Sequence, residues 1–166
     1  MIQRIQTLWF LVAGISALLS WVFPFCFFSD STKEFEGLIK LTGIELQDSV
    51  SSQFFPATDF MEGWILLILA ALNVFLPFIL IGLFQNRKLQ ITLSTLALTI
   101  PVISILSAFV FVSSGIFRLE QKGIEGVSIQ VGWAIVLPLI ALLGLGLGRR
   151  GVKKDEALIR SMDRIR

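Results

Sequence analysis

Four stretches of this 166-residue chain contain no Asp, Glu, Lys or Arg, namely residues 5–29, 63–86, 89–117 and 126–148. An α-helix rises about 1.5 Å per residue and the hydrocarbon core of a bilayer is about 30 Å thick, so each stretch is long enough to cross a membrane. The chain is 55% hydrophobic and 16% charged, whereas about a quarter of the residues in a soluble domain are charged. We therefore predict an all-α membrane protein, a single domain built on a four-helix transmembrane bundle.

The charge-free stretches also predict where the helices and loops lie. The predicted spans are residues 5–28, 63–85, 89–114 and 127–148. The remaining segments are outer loops at 29–62 and 115–126, an inner loop at 86–88 and a tail at 149–166. The first span is longer than the apolar core of a signal peptide and offers no small-x-small cleavage site, so we expect it to be retained.

Basic residues predict the orientation, because Lys and Arg are enriched on the cytoplasmic flanks of membrane spans. Ten of the fourteen basic residues fall at the two termini and the inner loop, and nine of the twelve acidic residues fall in the two other connections. We therefore expect a multi-pass protein of the inner, cytoplasmic membrane with both termini in the cytoplasm.

The two outer loops carry β-strand patterns. Residues 33–48 alternate in part and contain a Thr42-Gly43 turn signal, which predicts a hairpin. Residues 117–121 and 124–129 flank Lys122-Gly123 in a similar way. An isolated hairpin is marginally stable in water, so we predict that the two segments pair into one small extracytoplasmic antiparallel sheet.

Composition excludes several chemistries. The chain has no histidine, which excludes imidazole metal sites, imidazole bases and Ser-His or Cys-His pairs. Its single cysteine, Cys26, cannot form an internal disulfide. No Cys/His cluster or phosphate-binding glycine loop is present, so we expect no metal, no cofactor, no catalytic residues and no nucleic-acid partner. Within the spans, Asn73, Thr95 and Thr99 are candidates for polar contacts between helices.

Two glycine and proline patterns bear on the helices. Each span contains one proline, at Pro24, Pro77, Pro101 or Pro138, and each predicts a kink or a helix end. The Gly144-x-x-x-Gly148 spacing permits close helix contact.

The tail is the most distinctive polar segment. From Asp155 onward its apolar residues follow helical spacing, which predicts a short basic amphipathic helix on the cytoplasmic side. It could lie on the anionic inner leaflet or bind a membrane or cytoplasmic protein. The candidate contact residues are Arg149, Arg150, Lys153, Lys154, Leu158, Arg160, Met162, Arg164, Ile165 and Arg166.

Three segments carry a family resemblance: residues 1–7, residues 86–90, and the tail from Lys153 to Arg166. Together they resemble a bacterial family of four-span membrane proteins named for a domain of unknown function, number 4293. The resemblance covers the whole chain and implies architecture and a bacterial inner membrane, with no activity to carry over. The plan is also similar to that of claudin-type proteins, but their Trp, Gly-Leu-Trp and paired-Cys motif is absent, so this similarity is architectural only.

Three functions fit this pattern. The first is a non-enzymatic accessory or scaffold subunit that contacts partners through its tail and outer loops. The alternative is a small transporter or channel for an uncharged or lipid-like solute, suggested by the span prolines and Asn73. A lipid-modifying enzyme is a third possibility, resting on the neighbouring carboxylates of Asp59 and Glu62.

Overall fold

The computed structural model describes residues 2–29, 35–48, 52–121 and 128–163. These residues form a helical bundle with a small β-sheet at one end. The helices are α1 (Ile2–Leu19), α2 (Met61–Gly82), α3 (Arg87–Ala97), α4 (Thr99–Gln121) and α5 (Leu137–Asp163). The strands are β1 (Cys26–Ser29), β2 (Phe35–Lys40), β3 (Gly43–Asp48), β4 (Ser52–Pro56) and β5 (Ser128–Val131). Single 3₁₀ turns cover Ala57–Asp59, Leu83–Gln85 and Trp133–Ile135.

Three helical segments of the described chain are long and apolar enough to cross a membrane: Met61–Gln85, Arg87–Gln121 and Trp133–Ile159. The apolar part of α1, Ile5–Leu19, is shorter. The described residues therefore contain three membrane-capable segments and one shorter apolar helix.

The first helix ends at Leu19, well before the predicted end of the span at residue 28. Proline cannot donate a backbone hydrogen bond, and Pro24 follows closely. The apolar run then continues as β1, where Cys26 and Phe28 are buried and the Phe25 amide donates to the Ile39 carbonyl at 2.7 Å. The run thus lacks charges because it supplies a buried strand as well as a helix.

The strands form one antiparallel sheet in the order β4-β3-β2-β1-β5. The hairpin expected within residues 33–48 is confirmed as β2 and β3, with Lys40 opposite Gly43 across the turn. A Cβ atom at Gly43 would lie 2.3 Å from the Phe55 carbonyl oxygen, so the approach of β4 requires glycine there. Both loops contribute strands to the sheet, as predicted.

The prediction of a second hairpin in the last outer loop is wrong. Phe117 to Gln121 form the end of α4, and among the described residues that follow, the strand is β5, which pairs with β1 and not with the β2–β3 hairpin. Leu119 is buried one turn after Gly115, which keeps this segment helical. The turn expected at Lys122-Gly123 lies outside the described residues.

The helices pack in two apolar cores. One lies under the sheet, where Ile39 and Ile44 of the sheet meet Leu66 of α2 and Phe111 of α4. The other lies at the opposite end, which we call the tail end, around Phe10, Leu80, Ala97, Leu145 and Val152. The end that carries the sheet is called the sheet end below.

Three of the four span prolines lie at the boundaries of helices. Pro24 follows α1, Pro138 lies in the first turn of α5, and Pro101 lies in the first turn of α4, after the break from α3 at Leu98. At these positions the backbone N–H that proline lacks would have no partner within the helix, so its absence costs little stability. Pro77 lies inside α2.

Candidate functional site

Three distant segments meet in a polar cluster at the tail end, formed by Gln6 of α1, Arg87 and Gln90 of α3, and Asp155 of α5. The Gln6 Nε2 donates a 2.5 Å hydrogen bond to the Asp155 Oδ2. Gln6 is 7% exposed and Asp155 is 8% exposed. Because a buried carboxylate needs hydrogen-bond donors, this contact fixes the start of the chain against its tail.

The turn between α2 and α3 is held into the same cluster. Gln90 is buried and its Nε2 donates to the Leu80 carbonyl at 2.8 Å, while the Asn86 side chain caps α3 by accepting from the Leu89 amide at 3.3 Å. The Arg87 Nη1 is buried and has no hydrogen-bond partner among the described residues. Gln6, Arg87 and Asp155 line a cavity of about 20 Å³, which is room for about one water molecule.

Glycines bring α1 and α5 into backbone contact above this cluster. A Cβ at Gly144 would lie 2.8 Å from the Trp9 carbonyl oxygen, and one at Gly148 would lie 2.6 Å from the Phe10 ring. A Cβ at Gly151 would lie 2.7 Å from the Gln6 Cγ. Glycine is therefore required at both ends of the Gly-x-x-x-Gly spacing and once more a turn later.

The tail is a continuation of α5, and the separate amphipathic helix expected from Asp155 is not formed. Val152 and Asp155 of the tail pack toward α1 and are buried. The continuous helix is possible because Gly151, which could have ended α5, instead makes room for Gln6. The tail is therefore attached to the bundle through one face.

The predicted contact residues take several positions on this helix. Arg150, Lys153, Lys154 and Leu158 are exposed, and Arg149 is half-buried. Arg160 and Met162 belong to the helix, and Arg164, Ile165 and Arg166 lie outside the described residues.

A buried hydrogen bond joins α2 to α4 in the middle of the bundle. The Asn73 Nδ2 donates to the Ser104 Oγ at 2.6 Å, and both residues are buried. Thr95 and Thr99 do not take the interhelical role expected of them: they are exposed and their hydroxyls donate to the Ile91 and Leu96 carbonyls of the same helical segment. Threonine satisfies its hydroxyl locally in this way when no neighbouring helix offers a partner. The buried 3–4 spacing of Pro101, Ser104 and Ala108 marks Ser104 as the partner.

At the sheet end, Arg118 of α4 joins α2. Its Nη2 lies 3.2 Å from the Glu62 carboxylate, and its guanidinium lies 4.1 Å from the centre of the Phe60 ring. Glu62 is therefore engaged in an ion pair, whereas the neighbouring Asp59 is exposed. Within the described ranges no group of three or more Cys, Asp or Glu side chains is placed to hold a metal ion.

The face of the sheet that points away from the bundle carries a row of three apolar side chains and one glutamate, which we call the apolar row. Phe27, Leu38, Glu45 and Phe54 are consecutive partners across four strands. They line a shallow groove of about 410 Å³. Lys40 binds Glu45 at 2.9 Å beside the row, and Phe27 and Phe54 are exposed.

Comparison with known protein families shows which family the chain belongs to. Residues 2–165 match the family described as Domain of unknown function (DUF4293). The chain belongs to the DUF4293 family. The match spans nearly the whole chain and confirms the resemblance recognised in the sequence. No curated protein matches it.

The segments that carried the resemblance come together in this DUF4293 protein. Gln6 lies in the first of them, Arg87 and Gln90 in the second, and Asp155 in the third. The sequence alone did not predict that these three segments contact one another. The available signal was that Gly144, Gly148, Val152 and Asp155 lie on one face of a helix at 3–4 spacing.

Burial makes the single thiol of the DUF4293 chain unreactive. Cys26 is buried in β1, and desolvation raises its pKa from 9.0 to about 11. Its thiolate population at pH 8 is thus about a hundredfold lower than that of a free cysteine. Because the thiol ionises more readily in the unfolded chain, the free energy of unfolding should be insensitive to this group below pH 9 and should fall as the pH rises from 9 toward 11.

We expect maleimide to label Cys26 slowly at pH 8 in the folded protein and rapidly after denaturation in SDS. The reason is the combination of burial and raised thiol pKa. A time course of mass increase measures both rates. A cysteine introduced at exposed Ser52 in a C26A background serves as the accessible control, and equal rates at the two positions would contradict the buried placement.

Proposed function

We propose that this DUF4293 protein is a non-enzymatic integral membrane protein, an accessory or scaffold subunit that binds a membrane-anchored protein through the face of its sheet. In this proposal α1, α2, α3 with α4, and α5 span the bacterial inner membrane. The tail end is cytoplasmic and the sheet is extracytoplasmic. Three membrane-capable helical segments and the excess of basic residues at the tail end support this placement.

The observation that carries the proposal is the apolar row on the sheet. Phe27 and Phe54 expose large parts of their rings on a surface that, in this placement, faces water. The bundle is already covered by the other face of the sheet, so the row adds nothing to the core. Exposed apolar side chains on either side of the Lys40–Glu45 ion pair are typical of a protein contact surface.

The helices offer less support for a transporter. The cavity between α4 and α5 has about 130 Å³ and is lined by apolar residues, and the cavity beside Asp155 has about 20 Å³. Neither reaches from one end of the bundle to the other. Asn73, the residue that suggested a transporter, is hydrogen-bonded to Ser104.

Co-purification with a matched pair of variants tests the proposal. Phe54 at the sheet end is 53% exposed and Phe84 at the tail end is 54% exposed. We expect F54S to reduce recovery of the partner from mild detergent at least fivefold, because loss of a central interface aromatic commonly costs more than about 1 kcal/mol. F84S should leave recovery unchanged. Equal recovery with both variants would contradict a partner surface on the sheet.

The tail needs a separate truncation. Removing residues 153–166 would also remove Asp155 and disturb the polar cluster. A chain ending at Glu156 keeps the Gln6–Asp155 bond and removes only the projecting part of α5. If the tail is a second contact, this truncated chain should insert normally and lose part of the recovered partner. Full recovery would assign binding to the sheet alone.

A further inference from the structure

One face of α5 joins an apolar cavity to a basic stripe. Pro138, Leu142, Gly146, Arg149 and Lys153 recur at spacings of four, four, three and four residues. Residues at this spacing lie along one face of a helix. It is not the face that packs on α1, which carries Gly144, Gly148 and Asp155.

The cavity lies at the sheet-end half of this face. It has a volume of about 130 Å³ and is enclosed by α4, α5 and the segment before β1. Its lining is apolar, consisting of Phe25, Ile105, Ala108, Phe109, Val112, Ile135 and Pro138. Phe109 is exposed on the surface beside it, so the cavity opens toward the surroundings of the bundle.

The face stays shallow between the cavity and the basic residues. A Cβ at Gly146 would meet nothing closer than the Leu98 side chain at 4.0 Å. Unlike Gly144 and Gly148, this glycine is not required by helix contact. The lack of a side chain there leaves a notch between the two ends of the face.

The basic stripe occupies the tail-end half. Arg149, Arg150, Lys153 and Lys154 fall within six consecutive residues that contain no acid. Arg150, Lys153 and Lys154 are exposed, and the Arg149 Nε is buried without a hydrogen-bond partner among the described residues. Arginine and lysine side chains bind phosphate oxygens through charge-assisted hydrogen bonds.

We propose that this face binds one anionic phospholipid, with its phosphate on Arg149 and Lys153 and an acyl chain along Leu142 and Gly146 to the cavity at Pro138. The charge of the stripe matches an anionic headgroup, and the apolar lining of the cavity matches an acyl chain. The proposal rests on the membrane placement proposed above.

Native mass spectrometry of delipidated protein tests the site. Phosphatidylglycerol and phosphatidylcholine with the same acyl chains are the probes, and glycerol phosphate tests whether the headgroup suffices. We expect one phosphatidylglycerol to bind at least fivefold more tightly than phosphatidylcholine, because each nearby basic residue contributes about 1 kcal/mol toward an anionic lipid. Glycerol phosphate should not compete. Equal binding of the two lipids, or competition by glycerol phosphate, would overturn the proposal.

Single charge removals provide the matched variants. K153Q and K88Q each remove one exposed positive charge at the tail end, but only Lys153 lies on the stripe. We expect K153Q and R149Q to weaken phosphatidylglycerol binding about fivefold each and K88Q to have no effect. Ile105→Trp, which fills the cavity, should weaken both lipids. A loss with K88Q equal to that with K153Q would show general charge attraction and refute the site.

The membrane placement is checked separately by alkaline extraction of the membranes. Release of the wild-type protein would defeat the placement and the site together. A protein that stays in the membrane but has no lipid preference would defeat the site alone.

Discussion

Replacing Gly144 with alanine is expected to destabilise the protein by about 1–2 kcal/mol, although alanine is the better helix former. The added Cβ would lie 2.8 Å from the Trp9 carbonyl oxygen. Because that atom belongs to the backbone of α1, no side-chain rotation relieves the contact and the two helices must separate. Thermal unfolding in one detergent, followed by tryptophan fluorescence, should show a fall of about 2–8 °C.

Gly146 supplies the control in the same helix. The same substitution there would place a Cβ no closer than 4.0 Å to any neighbour. G146A should therefore raise stability by about 0.5–1 kcal/mol, because alanine restricts the unfolded chain. The two variants should shift the melting temperature in opposite directions. Shifts of the same sign and size would contradict the close contact between α1 and α5.

Replacing Asp155 with alanine is expected to cost about 1–3 kcal/mol, because it leaves the buried Gln6 amide without its acceptor. The Arg87 guanidinium, which faces the same cavity, would also lose a nearby negative charge. K154A is the neighbouring control on the exposed side of the helix and should change stability by less than about 0.5 kcal/mol.

A double-mutant cycle assigns the effect to the contact. If Gln6 and Asp155 stabilise the protein through their mutual hydrogen bond, Q6A should hardly change the free energy of unfolding in a D155A background. The change should be close to the experimental error of the cycle. The coupling should be about 1–2 kcal/mol. Additive losses would mean that the two residues act independently and would contradict the Gln6–Asp155 hydrogen bond.

The sequence predicted the elements whose signals are local. Charge-free runs located the helices, and the alternation with Thr42-Gly43 located the β2–β3 hairpin. The limits of the first helix were not predictable from charge, because a buried strand such as β1 excludes charges as well as a spanning helix does. The last turn of α4 was mistaken for a strand because its helical state depends on burial of Leu119 and on Glu62, which is far away in sequence.

The candidate site was only partly visible for a related reason. Gly144 and Gly148 are recognisable as a packing motif, but no feature of the sequence indicates that their partner is α1. Asp155 marks the start of the amphipathic helix predicted from the sequence, and its partner Gln6 lies 149 residues away. Long-range pairs of this kind become visible only when the helices are placed against each other.

The pairing of α1 with α5 also orders the events of biosynthesis. The partner of α1 is α5, which begins 118 residues after α1 ends. Similarly, β1 pairs with β5, the last strand of the described chain. At about 5–20 residues per second, α1 is made roughly 6–24 s before α5 begins to be made. During that interval the glycine-facing side of α1 and one edge of the sheet lack their partners. Completion of the fold is therefore tied to synthesis of the final segment, and chains interrupted before it expose two unsatisfied surfaces.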